Sequence, residues 1–260
     1  MNKDWVKDEI TKRWDYSSQR YDGYHGHGVK SREEAEAWGA LFQRFIPGQG
    51  LKVLEVGCGT GEMSLLLAGL GHDVQGIDLS ARMLAKAREK AEALSRNNGG
   101  PKIGFDPGDA EDPPFEDGRF DAVVCRHVLW TLPSPEKAAS GWARVLKENG
   151  TLLVIDALWN DESLTTRLRQ NIGRWLIYLA EKNNLSKDFY SRDLAAALPH
   201  SKGLPLDQAR VYVQGAGFCD IQTRALGDLA AIQKKHMPWR YKISYNYDYY
   251  SVCGKKRSGA

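Results

Sequence analysis

The chain has 260 residues, with 36 Lys and Arg against 33 Asp and Glu, a formal net charge of +3. At 42% hydrophobic and 27% charged residues it has ordinary globular usage, which excludes disordered and collagen-like classes. Its length suits one large domain, or one domain with a substantial insertion. No apolar run approaches the roughly 18 residues of a membrane span, and Met1-Asn2-Lys3-Asp4-Trp5-Val6-Lys7 lacks a secretory core, so a soluble, cytoplasmic protein is expected.

Residues 1–48 read as mostly helical, interrupted by a polar Gly/His/Tyr stretch at 21–28 that suits a mobile loop. From about residue 50 strands and helices alternate. Residues 51–56 are β-rich and break at Gly57-Cys58-Gly59-Thr60-Gly61; a helix then runs from Glu62 to Gly71, a favourable residue just past a helix end. Residues 73–77 make a second strand ending at Asp78. Ser80 is placed to cap a helix whose Met83, Leu84, Ala87, Ala91 and Leu94 keep the 3.6-residue period. A weak third strand at 102–105, a strong fourth at 120–125, a helix from Ser134-Pro135 to about Lys147, and a fifth strand at 151–155 complete the series. Val/Ile/Leu strands separated by helices predict an α/β fold with a doubly wound, mostly parallel sheet covered on both faces.

Residues 160–204 break that rhythm. Leu164, Leu168, Ile172, Trp175, Leu176 and Leu179 form a helical stripe, read as a helical insertion after strand five. Helix and strand return at 206–214, 219–225 and 243–253, the last rich in tyrosine. The expected parts are therefore a helical N-terminal lid (1–48), a core (49–159), the insertion (160–204) and a C-terminal return to the sheet (205–260). Cys58, Cys125, Cys219 and Cys253 lie far apart, with no CxxC pair and no His at zinc spacing, so no disulfide scaffold or structural zinc is expected. Residues 232–260 hold seven basic residues and one acidic, a net +6 that leaves −3 for the remainder. A solvated basic edge explains this, with anion binding as the alternative.

The chemistry concentrates at the glycine turn, where the backbone can approach a ligand closely. A dinucleotide fingerprint would place its third glycine where this chain has Glu62, and a glutamate at a helix N-terminus repels pyrophosphate. Glu55 adds a carboxylate just ahead of the glycines. Both features favour a cationic ligand, and S-adenosylmethionine (SAM) is cationic at its sulfonium and amino groups. Asp78 can accept hydrogen bonds from ribose hydroxyls, and Asp109-Ala110 offers an acceptor where an adenine amino group could lie. Each Asp alone reads equally as a helix cap or turn residue; three acidic groups at the ends of three successive strands point to a nucleoside.

The runs Glu55-Val56-Gly57-Cys58-Gly59-Thr60-Gly61, Gly76-Ile77-Asp78-Leu79-Ser80 and Gly108-Asp109-Ala110-Glu111, with Phe120-Asp121-Ala122-Val123-Val124 and residues 144–152, resemble the class I SAM-dependent methyltransferase family. The nearest subgroup is similar to the small-molecule methyltransferases of ubiquinone and menaquinone biosynthesis. The resemblance implies a seven-stranded Rossmann-like sheet whose antiparallel seventh strand residues 243–253 would supply. It implies that Gly57, Cys58, Gly59 and Gly61 hold the methionine part, Asp78 the ribose, and Asp109-Ala110 the adenine, with Glu55, Leu79 and Met83 also at the cofactor. Arg126 would serve the cofactor through its backbone, and Trp130 reads as core. His127 is either a general base, as a neutral imidazole allows, or a residue that caps or packs the following helix. Tyr16 or Tyr21, in a segment resembling the family's lid, would contact the methionine end or sulfonium by cation–π attraction, or else pin a helix.

Several specialisations are absent. No Asp-Pro-Pro-Tyr-like run follows the fourth strand, no Pro-Cys nucleophile exists, no glutamate pair brackets the following loop, and Arg126 stands where a catechol-type magnesium site needs Asp. His25-Gly26-His27 is too closely spaced to hold a metal alone. The expected activity is transfer of the SAM methyl to a small-molecule acceptor, whether O, N, S or C, leaving S-adenosylhomocysteine. An RNA or other macromolecular methyltransferase using the basic C-terminus, and a non-catalytic SAM-binding module, are the alternatives.

Overall fold

The computed structural model describes residues 4–95, 102–160, 162–182, 189–245 and 248–258. Helices α1 (Asp4–Ser17) and α2 (Arg32–Phe45) open the chain. Then come β1 (Lys52–Val56), α3 (Glu62–Gly69), β2 (Asp73–Asp78), α4 (Ala81–Ser95), β3 (Ile103–Pro107), β4 (Phe120–Arg126), α5 (Pro135–Val145) and β5 (Leu146–Leu158). After these lie α6 (Leu164–Glu181), α7 (Arg192–Ala197), α8 (Leu206–Gly215), β6 (Phe218–Ala225), α9 (Gly227–Lys235), α10 (Trp239–Lys242) and β7 (Asp248–Lys256).

The seven strands form one sheet in the order β3-β2-β1-β4-β5-β7-β6. Strands β1 to β5 pair in parallel, and β7 runs antiparallel to both β5 and β6. This is the doubly wound, mostly parallel sheet that the apolar strands predict. Side chains alternate between two helical layers, as the two-residue strand period requires. Leu54, Val56, Val123 and Cys125 pack with α1, α5 and α8; Val53, Ala122 and Val124 pack with α2, α3 and α9. Trp38, Phe42 and Trp142 are fully buried between sheet and helices. Removal of such apolar surface from water, at ~25 cal/mol per Å², is the main force holding the layers together.

Several helix ends follow local chemistry. Ser80 Oγ accepts the Met83 N–H at 3.1 Å, and Gly71 turns with φ +92° just past α3, both as the sequence predicts. Ser134 precedes α5 without a side-chain capping bond; its N–H donates to Glu111 at 2.5 Å, and Pro135 sets the first turn. Helix α5 also stops at Val145, because Leu146 already bridges Phe120 as part of β5.

The expected helical insertion after strand five forms as α6, and two further expectations change. The apolar stripe of α6 is largely solvent-facing, with Leu164 82% and Trp175 61% exposed, while Gly173 and Ile177 are the buried residues. Gly173 lets Ser244 approach to where a Cβ would be 2.8 Å away, so the contact runs along a narrow seam beside the stripe. The seventh strand begins at Asp248, not at 243, because Trp239–Lys242 turn as α10; positions 246 and 247 lie outside the described residues. The stretch at 21–28, read as a mobile loop, is fastened: Asp22 bonds Thr60 and Lys90, and the adjoining Val29 N–H bonds Glu62.

Candidate active site

Strand order reverses at β1, and open α/β sheets bind ligands in the crevice at the carboxyl ends of the strands that flank such a switch point, here β1 and β4. Strand β1 empties there into Gly57, Gly59 and Gly61, with φ of 63°, 52° and 79°. At Gly61 a Cβ would lie 2.8 Å from Phe105 Cζ, so packing against β3 demands glycine. At Gly59 a Cβ would meet nothing nearer than Tyr21 Cε1 at 3.8 Å, which leaves the loop backbone open to a ligand.

Three carboxylates stand at or near the ends of β1, β2 and β3, and of these Asp78 bonds the loop directly. Glu55 is buried in β1, accepts the Ser64 hydroxyl proton from α3, and is pushed by burial up to about 7. Asp78 accepts the Gly59 N–H at 2.9 Å and the Ser80 N–H at 2.8 Å; burial raises its pKa while those donors pull it down. Asp109 accepts the Glu111 N–H at 2.9 Å and pairs with Lys7 at 2.6 Å. Leu79 follows Asp78 at the crevice edge with 39% exposure, and Met83 is buried in the first turn of α4. The Ala110 carbonyl receives the Trp142 indole N–H at 2.8 Å. Cys58 is buried, and burial pushes its thiol well above the usual range.

The N-terminal segment is tied across the loop by residues the motif reading did not single out. Asp15 accepts the Ser80 hydroxyl at 2.5 Å and the Arg82 N–H at 3.2 Å, while Asp22 accepts the Thr60 hydroxyl at 2.5 Å and pairs with Lys90 at 2.7 Å. Glu62 takes the Val29 N–H and the Lys90 ammonium. Two carboxylates seven residues apart in a polar, aromatic segment were the available signal. Between these ties Tyr21 lies against Gly59, its ring 5.7 Å from Trp14 and 4.5 Å from His27. Tyr16 is not brought there. It sits on the solvent side of α1, 77% exposed beside Arg13.

Past β4, His127 adopts φ +58° and buries its imidazole among Trp159, Tyr249 and His27, at ring distances of 5.6, 5.2 and 6.2 Å. Its backbone carbonyl takes the Trp130 indole N–H at 2.9 Å, but neither ring nitrogen has a hydrogen-bond partner. The imidazole therefore caps no helix. Its Nδ1 lies 3.6 Å from Asp156 Oδ1, beyond hydrogen-bond reach. Burial drives both groups toward neutrality: His127 falls well below the ordinary histidine range, and Asp156 rises to about 8. Trp130 is core, packed edge-on to Trp14 and Trp159. Cys125 is fully buried with its thiol pushed well up by burial, which suits packing and not nucleophilic attack.

The basic C-terminal residues form no single patch. Lys235 pairs with Glu33, Arg240 with Glu181, Lys255 donates to Thr151 and Lys256 to the Leu146 carbonyl. No described helix is long and apolar enough to cross a membrane.

Comparison with known proteins agrees with this geometry. Residues 54–154 match the model of the methyltransferase domain. The chain is 34% identical over 130 residues to the phosphatidylethanolamine N-methyltransferase of Cereibacter sphaeroides, covering 50% of this chain and 62% of that protein. It is 28% identical over 247 residues to the demethylmenaquinone methyltransferase of Paenarthrobacter aurescens, covering 91% and 89%. The Haemonchus contortus phosphoethanolamine N-methyltransferase 2 bound to S-adenosyl-L-methionine superposes with a TM-score of 0.66 at 18% identity, covering 97% of this chain and 60% of that one. The chain thus spans less than two thirds of the first of these relatives.

Proposed function

We propose that this chain, whose residues 54–154 are a methyltransferase domain of the class I SAM-dependent family, transfers the methyl group of SAM to a small-molecule acceptor held beneath its N-terminal segment. The observation that carries the reading is the open face of Gly59, whose N–H is held by Asp78, with Glu55 in the strand that leads into the loop. That surrounding suits a cationic nucleoside and repels a diphosphate. Bound SAM supplies a methyl group already activated by a positively charged sulfur. Glu55 would meet the ammonium, Asp78 the ribose, and Asp109 with Ala110 the adenine. Asp15, Asp22 and Glu62 hold the N-terminal segment over the loop and keep water out, so that alignment supplies most of the rate.

His127 is the residue placed to move a proton. Nδ1 faces Asp156, which leaves Nε2 for the acceptor. An imidazole held neutral by burial accepts a proton only weakly, which suits an acceptor that loses its proton readily as the new bond forms. Quinone-derived and ethanolamine-type acceptors, the kinds named for the relatives, are both small and within this range. The insertion of α6 and α7 would close the acceptor side, and the cytoplasm is the compartment proposed. Incubation with methyl-labelled SAM and cell extract tests the reading: label should enter small metabolites, whereas label in RNA or protein overturns it. Calorimetry should show S-adenosylhomocysteine binding and no binding of NAD.

A further inference from the structure

Arg126 ends β4, paired with Ile155 of β5, and its side chain turns back under the crevice with only 8% of the residue exposed. Its guanidinium lies 5.3 Å over the Trp38 ring and near enough to the Tyr21 hydroxyl to pull its pKa down against burial, yet Nη1 is buried without a hydrogen-bond partner. An aromatic face and a phenol soften the cost of burying that charge but do not replace a counter-ion. Glu55 does not fill the role: its carboxyl is held by Ser64 and stays up at about 7 despite the positive charge nearby. A planar, always-charged donor fork with a free N–H is built for a carboxylate.

The same residues say where that carboxylate comes from. Tyr21, which lies near the guanidinium, also rests against the open Gly59 backbone. Glu55, paired with Val124 of β4 and so on the same sheet face as Arg126 two residues further on, offers a negative partner beside it. An opposite-charge pair beside a glycine loop with an open Gly59 face matches a zwitterionic amino-acid end, with ammonium toward Glu55 and carboxylate toward Arg126.

We propose that Arg126, oriented by Tyr21 and Trp38, forms a carboxylate subsite that reads the amino-acid end of the cofactor through its side chain. This goes beyond the backbone contact expected of Arg126 from the sequence, and it rests on the reading of the crevice as the SAM site. The subsite makes the protein discriminate between S-adenosylhomocysteine and its decarboxylated analogue, which keeps the amine.

Calorimetry with those two probes on the full chain tests the proposal. Wild type should prefer S-adenosylhomocysteine by roughly 30-fold or more, as expected for a desolvated charge-assisted pair. Arg126→Gln should erase that preference by weakening S-adenosylhomocysteine alone, leaving the decarboxylated analogue within about threefold of wild type. Arg126→Lys, which keeps the charge but loses the fork, should retain part of the preference and serves if the glutamine variant does not fold. Equal preference in wild type and Arg126→Lys or Arg126→Gln overturns the proposal, as does a wild type that binds both probes equally. A wild type that binds neither probe refutes instead the assignment of the crevice to SAM.

Discussion

The Nδ1 of His127 and the Oδ1 of Asp156 stand 3.6 Å apart in a site closed to water, and burial keeps both groups neutral. The pair is therefore a proton-poised contact without the energy of an ion pair. Asp156 holds its proton up to about 8, far above its value in an unfolded chain. Its contribution to stability is full in acid and is lost as pH rises toward 8, because the unfolded chain ionises first. Asp156→Asn, a near-isosteric neutral replacement, removes that dependence. Urea unfolding at pH 5.5 and 8 should show wild type losing more stability than the variant, by up to ~1.4 kcal/mol for each pH unit crossed. Parallel losses in the two proteins would mean that Asp156 ionises inside the fold.

His127→Gln separates proton transfer from binding. The amide fills nearly the same space and keeps a polar atom at the site. Turnover of an acceptor that must lose a proton should fall about 10²-fold, the low end of what a positioned base supplies. Affinity for S-adenosylhomocysteine, measured by calorimetry, should stay within about twofold if the imidazole serves the acceptor as proposed.

Glu55 makes cofactor binding depend on pH. With its carboxyl at about 7 in the free protein, meeting an ammonium requires that it first lose a proton. Affinity for S-adenosylhomocysteine should climb up to ~10-fold per unit between pH 5.5 and 7 and level off above, with proton release seen as a buffer-dependent heat. Glu55→Gln should bind more weakly at pH 8 and show a flat profile. A wild-type affinity constant from pH 5.5 to 8 would rule out Glu55 as the ammonium partner.

Most of the core was legible because its strands are continuous apolar runs and its loop is written in glycine. A period-two or period-3.6 pattern reports which faces are apolar, but not what covers them. That is why the stripe of α6 was legible as a helix while the exposure of Leu164 and Trp175 was not, and why α9 and α10 went unseen in a weakly periodic, basic stretch. Asp78 and Glu55 could be placed from spacing alone, because a strand end fixes where a side chain emerges. Asp15, Asp22 and Lys7 could not, because their partners Ser80, Thr60 and Asp109 are more than 30 positions away and meet them only through the fold. The environment of His127 was hidden for the same reason: Asp156, Tyr249 and His27 arrive from three other segments.

Gly61 is where the loop's sequence is set by packing and not by ligand. Its φ of +79° is costly for any L side chain, and a Cβ would press on Phe105 at 2.8 Å and Ala87 at 3.0 Å. Gly61→Ala should lower unfolding stability by about 2–3 kcal/mol in urea, from backbone strain together with the clash. Gly59→Ala meets no such neighbour. It should destabilise less, by roughly 1 kcal/mol, but lose more cofactor affinity, because the added methyl occupies the open face.

Asp22 links the N-terminal segment to the glycine loop through Thr60 and to α4 through Lys90, so it sets how long the segment stays shut. Both ties are partly exposed, which limits each to a modest strength. Asp22→Ala should speed release of S-adenosylhomocysteine by roughly 5- to 10-fold, the loss expected for one charge-assisted bond and one half-exposed pair, while changing global stability little. Stopped-flow displacement read through Trp14, which lies edge-on to Tyr21, reports that release directly. Tyr16→Ala serves as the control in the same N-terminal segment: with its ring 77% exposed it should leave the release rate unchanged. A release rate unaltered in Asp22→Ala would show that closure is set elsewhere, with the Asp15–Ser80 tie the next to remove.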